Sequence, residues 1–173
     1  MPKKAPVVEL APTPLTLAEL VTKLVVMPWP RSDGEREVLF TELEFTSGQP
    51  LELESDDFPH QITELGTAFG GAVRGSWDTY KQEFLGITLH LYSAQEPRNH
   101  AARTGFDELR SQLSKEFGQP KHPWEDEETP PCLWEANGRI ITTHLFTHRD
   151  SSVMLSVEDA VLASMADDDS ISG

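Results

Sequence analysis

Six histidines and 29 carboxylates are the side chains here with the widest chemical reach, so a metal site is the first chemistry to weigh. His144 and His148 fall on one face of a strand-like stretch. Four residues of extended chain would hold them about 13 Å apart, at roughly 3.3 Å per residue, too far to share one ion. His60, His90, His100 and His122 have no ligand spacing, and the one cysteine, Cys132, rules out a multi-thiolate centre. The acidic runs lack the glycine-centred alternation of a calcium loop. No metal and no other cofactor is expected.

Catalytic patterns fare no better. His148-Arg149-Asp150 spells the opening of a kinase catalytic loop, but the chain has neither a glycine-rich phosphate loop nor an Asp-Phe-Gly downstream. It reads as a polar turn. Phe69-Gly70-Gly71-Ala72 lacks the Lys-Ser/Thr that follows a phosphate loop. Ser151 and Ser152 stand beside His148 and Asp150, yet a triad is a convergence in space and no nucleophile-elbow pattern is present. The expectation is that the protein is not an enzyme. A site assembled from distant residues would leave no trace at this level.

What the carboxylates do have is clustering. The formal net charge is −15, from 14 basic and 29 acidic side chains. Sixteen of the 29 acids fall in segments 42–57, 124–135 and 158–169, which contain no Lys or Arg. Glu125-Asp126-Glu127-Glu128 is flanked by Trp124 and by Thr129-Pro130-Pro131, so a stiff loop would set four acids beside an indole ring. That combination suits a basic protein surface, with the ring as anchor and the carboxylates as acceptors for Lys or Arg. The expected contact set is Trp124, Glu125, Asp126, Glu127 and Glu128, extended by Glu52, Glu54, Asp56 and Asp57 if the two segments converge. A solvated acidic loop is the plainer alternative.

These residues need a scaffold, and 173 residues suffice for one core. Residues 1–15, with four prolines, read as a flexible arm. Residues 16–166 read as a single domain, and 167–173 as a disordered acidic tail. Thr16 with Glu19 has capping-box spacing, followed by an apolar stripe of Leu17, Leu20, Val21, Leu24 and Val25. Ser32 with Glu35 repeats the signal, but residues 35–45 fit a strand as well as a helix. Ser47-Gly48-Gln49-Pro50 reads as a turn, Leu51 and Leu53 as a short strand, and residues 61–73 as a bent ribbon. In the next strand Ile87, Leu89 and Leu91 point inward, opposite Thr88, His90 and Tyr92. Asn99 to Phe117 is a helix carrying Phe106, Leu109, Leu113 and Phe117. Asn137-Gly138 is a hairpin signal that places Trp134 opposite Ile141. After a turn at 148–151, Val153, Leu155 and Val157 return on the core side. The other side of this meander shows Glu135, Thr142, His144, Phe146, Met154 and Ser156, a mixed set for a face that only meets water. Trp29, Trp77 and Trp134 are expected in the core. The predicted class is α+β, a mainly antiparallel sheet with a C-terminal three-stranded meander packed on two or three helices.

Composition bounds the partners. Direct binding to nucleic acid or an anionic membrane is disfavoured by like charge. No eighteen apolar residues run together, the N-terminal stretch lacks the apolar run of a signal peptide, and one cysteine cannot form an internal disulfide; a cytoplasmic protein is expected.

From Phe106 to Asp159, a helix ending in Phe-Gly-Gln-Pro precedes Trp134, the Asn-Gly turn and the run Arg149 to Glu158. In this stretch, together with its size and acidity, the chain resembles the small immunity proteins that accompany bacterial polymorphic toxins. The resemblance covers about a third of the chain and offers no catalytic residue to carry over. It implies an antidote that covers the basic groove of a cognate toxin domain, much as nucleic acid would. The alternative is a secretion chaperone that holds an effector segment on the face of His144, Phe146 and Met154. Oligomeric state is open in either case.

Overall fold

A computed structural model describes residues 10–51, 60–69, 73–123 and 129–172, the final four as backbone only. Among the described residues the elements are α1 (Pro14–Val26), α2 (Asp33–Glu42), β1 (Thr46–Pro50), β2 (His60–Gly66), β3 (Arg74–Tyr80), β4 (Glu83–Ala94), α3 (His100–Phe117), β5 (Cys132–Ala136), β6 (Arg139–Phe146), β7 (Ser151–Asp159) and α4 (Ala160–Ser172). The strands form one antiparallel seven-stranded sheet in the order β1-β2-β3-β4-β7-β6-β5. The fold is α+β. The C-terminal meander is not a separate sheet, because β7 pairs with β4 and joins it to the N-terminal strands.

Alternation gives this sheet two unlike faces. Ile87, Leu89 and Leu91 of β4 stand opposite Val157, Leu155 and Val153 of β7, and Ile141, Leu145 and Trp134 extend the row. All are buried, and Phe106, Leu109 and Leu113 of α3 join them in one core. α1 packs on α3 and adds Leu17, Val21 and Leu24. Each such side chain contributes roughly 1.5–3 kcal/mol on burial, so stability is concentrated here. α3 has the expected bounds: the Asn99 side chain accepts from the Ala102 N–H at 2.9 Å, and Gly118 ends it. The hairpin also forms as read, with positive φ at Asn137 and Gly138 and Trp134 opposite Ile141. α2 resolves the ambiguity at 35–45 in favour of helix, with Ser32 Oγ accepting from the Glu35 N–H. Phe40 of α2 meets Phe45, Trp77 and Phe84 edge-on.

Five expectations are corrected. The α1 cap is Thr13, not Thr16: its Oγ1 accepts from the Thr16 N–H at 3.2 Å, and Pro14 stands in the first turn, where a missing donor is tolerated. The supposed arm therefore belongs to the fold from residue 10, with Pro12 buried and its carbonyl accepting the Tyr92 hydroxyl at 2.6 Å. Ser47-Gly48-Gln49-Pro50 lies in β1, an edge strand exposed throughout, and an edge is where proline is admitted to a sheet. Tyr92 leaves the face of Thr88 and His90. At φ 53, beside a register shift between Leu91 and Ala94, its ring turns onto α3, where a Cβ on Gly105 would come within 2.4 Å of it. Residues 167–172 continue α4 rather than forming a disordered tail. No Gly or Pro interrupts 160–172, and Asp159 Oδ2 caps the helix by accepting from the Leu162 N–H at 3.1 Å.

Candidate functional site

The second face of the sheet is where titratable groups gather. Across four strands it presents Arg74, His90, Met154 and His144 in one registered row. Nearer α4, Asp78 of β3 and Glu158 of β7 both stand opposite Gly86 of β4, one on each side. Gly86 has no room for a side chain: a Cβ there would lie 2.2 Å from the Val157 carbonyl oxygen. The two carboxylates thus flank a position with no side chain between them. In β3 the register shifts after Asp78, and Leu85 is the extra residue of β4. Phe84 joins the core under the helices while Leu85 packs with Tyr80, Leu162 and Ala163 of the α4 side.

Because α4 covers only part of this face, a groove of about 470 Å³ remains. Leu85, Ile140, Met154 and Ala163 give it apolar walls, and His60, Tyr80, Thr142, His144, Glu158 and Asp167 its polar groups. His60 Nε2 and Asp78 Oδ2 are hydrogen-bonded at 2.5 Å. Burial raises the Asp78 carboxyl above its ordinary range, against the lowering effect of that hydrogen bond. Glu158 is pushed up to about 7, first by burial and then by the charges of Asp78 and Asp167, with His60 acting in the opposite direction. Desolvation also lowers His90, helped by Arg74. Tyr80 is 2% exposed, and its hydroxyl has no hydrogen-bond partner among the described residues. The charges of Asp78 and Asp167 disfavour ionisation of Glu158, and His60 opposes them.

Of the residues singled out from sequence, Trp124, Glu125, Asp126, Glu127, Glu128, Glu52, Glu54, Asp56 and Asp57 lie outside the described residues. Their flanks are informative. Pro123 and Pro131, on either side of the first group, both line the groove, and so does His60, which follows the second. His144 and Met154 also line it, with Phe146 beside His144 at 4.4 Å between ring centroids and 38% exposed. Sequence reasoning missed His60, Asp78, Tyr80, Glu158 and Asp167. Glu158 was within reach, since it continues the alternation of Met154 and Ser156; Asp78 and Tyr80 were not, in a stretch with no strand pattern.

The other chemistries that the sequence suggested are occupied structurally. Ser151 is 1% exposed, accepts from the Asn99 N–H at 2.8 Å and donates to the Glu96 carbonyl at 2.8 Å. Cys132 is buried, with its thiol pushed up by desolvation. Trp29 and Trp134 are core residues whose indole N–H groups donate to the Phe84 and Gly118 carbonyls, and half-buried Trp77 carries the Arg36 guanidinium 4.2 Å above its ring. Among the described residues no group of three His, Cys, Asp or Glu could hold a metal ion, and no helix is long and apolar enough to cross a membrane. No protein-family model, curated protein or solved structure matches the chain.

Proposed function

We propose that the protein is a protein-binding module that offers clustered carboxylates to a cationic partner, and that it works in the cytoplasm as an immunity protein covering the basic groove of a toxin domain. One observation carries this reading: two of the three acid-rich segments line the same groove. Pro131 and Leu133 belong to the segment 124–135 and Glu158 and Asp167 to the segment 158–169, while His60, three residues past the segment 42–57, lines the groove as well. Local negative potential of this kind speeds encounter with a basic surface and repels nucleic acid and anionic lipid.

The test is capture of the partner from the native host at low and at moderate salt, with wild-type protein and with E125K/D126K/E127K/E128K. The expected partner is basic, is released as salt rises, is lost to the charge-reversed variant, and arrests growth when expressed without this protein. Equal retention by both proteins at both salt levels would refute the reading. The exposed Phe146 beside His144 favours a second one, a secretion chaperone gripping an effector segment. In that case Phe146→Asp, and not salt, would release the partner.

A further inference from the structure

We propose that α4 is a latch worked by the charge of Glu158: pivoting at Ala160, the helix lies on the sheet while that carboxyl is neutral and lifts from it when the carboxyl ionises. Such a latch operates whatever the protein binds. Three features of the fold make the helix separable. It is held by a cluster of its own: Leu162 and Ala163 pack with Tyr80 and Leu85, with Ile140 and Ala166 against them, apart from the core that α1 and α3 close. Val161 and Met165 are exposed. Its root is fixed, since the Ala160 N–H donates to the Gly138 carbonyl at 2.9 Å, which gives the rest of the helix a pivot. Its far end is charged against itself: Asp167, Asp168 and Asp169 stand toward the end where backbone carbonyls already carry negative charge, and the last turn has no Lys or Arg.

Glu158 is placed to work this latch. It stands opposite Gly86 and lies across the space that a side chain there would take: a Cβ on Gly86 would come within 2.9 Å of Glu158 Cγ. Ala163, Ala166 and Asp167 of α4 line the same groove as Glu158, and the charge of Asp167 reaches its carboxyl. The charged and titratable groups around Glu158 are His60 from β2, Asp78 and Tyr80 from β3, His144 from β6 and Asp167 from α4; β4 contributes Gly86. Burial, Asp78 and Asp167 push the carboxyl up to about 7, against His60. Linkage runs both ways, so a helix whose docking holds the proton on Glu158 is itself held by that proton. This contribution to docking is fully present below about pH 4.5, the ordinary value of the carboxyl, and is lost as pH rises through 7.

The experiment is amide hydrogen exchange of the full chain, followed by NMR from about pH 5.5 to 8.5 and expressed as protection factors, which remove the base catalysis of exchange itself. Protection of the amides from Ser164 to Asp168 should fall about 10-fold between pH 6 and 8, as for a carboxyl that titrates at about 7 with the helix docked and at 4.5 with it released. The amides of Phe106, Leu109 and Leu113 in α3 should keep their protection over the same range. Glu158→Gln, which cannot ionise, should hold the low-pH protection of α4 up to about pH 8.5, and Asp167→Asn should shrink the wild-type fall by about half. No protection in α4 at the lowest pH, protection that does not change with pH, a fall of equal size in Glu158→Gln, or a fall shared by α3 would each overturn the proposal. The first two outcomes leave nothing to release, the third moves the titration to another group such as His60, and the fourth makes it an opening of the whole fold.

Discussion

β7 serves two surfaces of opposite character. Val153, Leu155 and Val157 enter a core closed by α3, while Met154 and Glu158, interleaved with them, line a groove beside α4. The strand, the hydrogen-bond ladder and the register are common to both; coverage differs. Where a helix seals the sheet, the side chains are mainly apolar and the energy gained is stability. On the open side, Glu158 and Asp78 are held where their charged forms are disfavoured, and the Tyr80 hydroxyl is left without a partner. Such a surface is stabilised by what binds it. The two faces should therefore respond to mutation in opposite ways.

The largest contrast is in core truncation. Phe106→Ala removes a side chain 1% exposed between α3 and the sheet, and about 3–5 kcal/mol of unfolding free energy should be lost in a urea titration. Met154→Ala, from the half-buried row on the other face, should cost less than half as much. Equal losses would mean that the outer face is as much a core as the inner one. Next is Gly105→Ala. Its new methyl meets the Tyr92 ring, and a loss of about 1–3 kcal/mol is expected, partly recovered by pairing it with Tyr92→Leu, read as the shift in urea midpoint.

The sheet's two faces were also unequally legible in the sequence. Strong periodicity announced the sealed side: Ile87, Leu89 and Leu91, the α3 stripe, and the Asn137-Gly138 hairpin all stand as expected. β1 and β3 escaped notice because an exposed edge needs no apolar alternation and because β3 mixes Gly75, Ser76 and Asp78 into a half-buried strand. Without β3, the pairing of Asp78 and Glu158 about Gly86 had no basis. Charge clustering pointed to the acidic segments, but only long-range strand order brings their flanks to one groove. Tyr92 shows the same limit in miniature, since a single residue at positive φ reversed its face.

The pH dependence of stability tests the outer face directly. Glu158 holds its proton more tightly folded, at about 7, than in an unfolded chain, where it has its ordinary value of 4.5. Between these values the native state binds more protons. Its contribution to stability is thus fully present below about pH 4.5 and is lost as pH rises through 7. Asp78, also raised by burial, acts in the same direction. Glu158→Gln should remove most of this dependence, leaving the variant more stable than wild type by on the order of 1–2 kcal/mol at pH 8 and nearly equal to it at pH 4.5, measured by urea unfolding at each pH. A wild type whose stability rises from pH 5 to 8 relative to Glu158→Gln would show that the carboxylate is satisfied within the fold.

The smallest expected effect on stability is also the most discriminating. Phe146 is the last residue of β6, 38% exposed, and touches the His144 ring, so Phe146→Asp should change the urea midpoint by no more than about 0.5 kcal/mol. The added carboxylate lies on the face that already holds the surplus of negative charge. If that face meets a cationic partner through its carboxylates, one more acid should leave affinity unchanged or raise it at low salt. If the partner is held by an apolar grip on His144, Phe146 and Met154, the same substitution should abolish binding while the protein stays folded. A side chain that contributes so little to folding separates attraction by charge from attraction by burial, because neither outcome can be attributed to loss of structure.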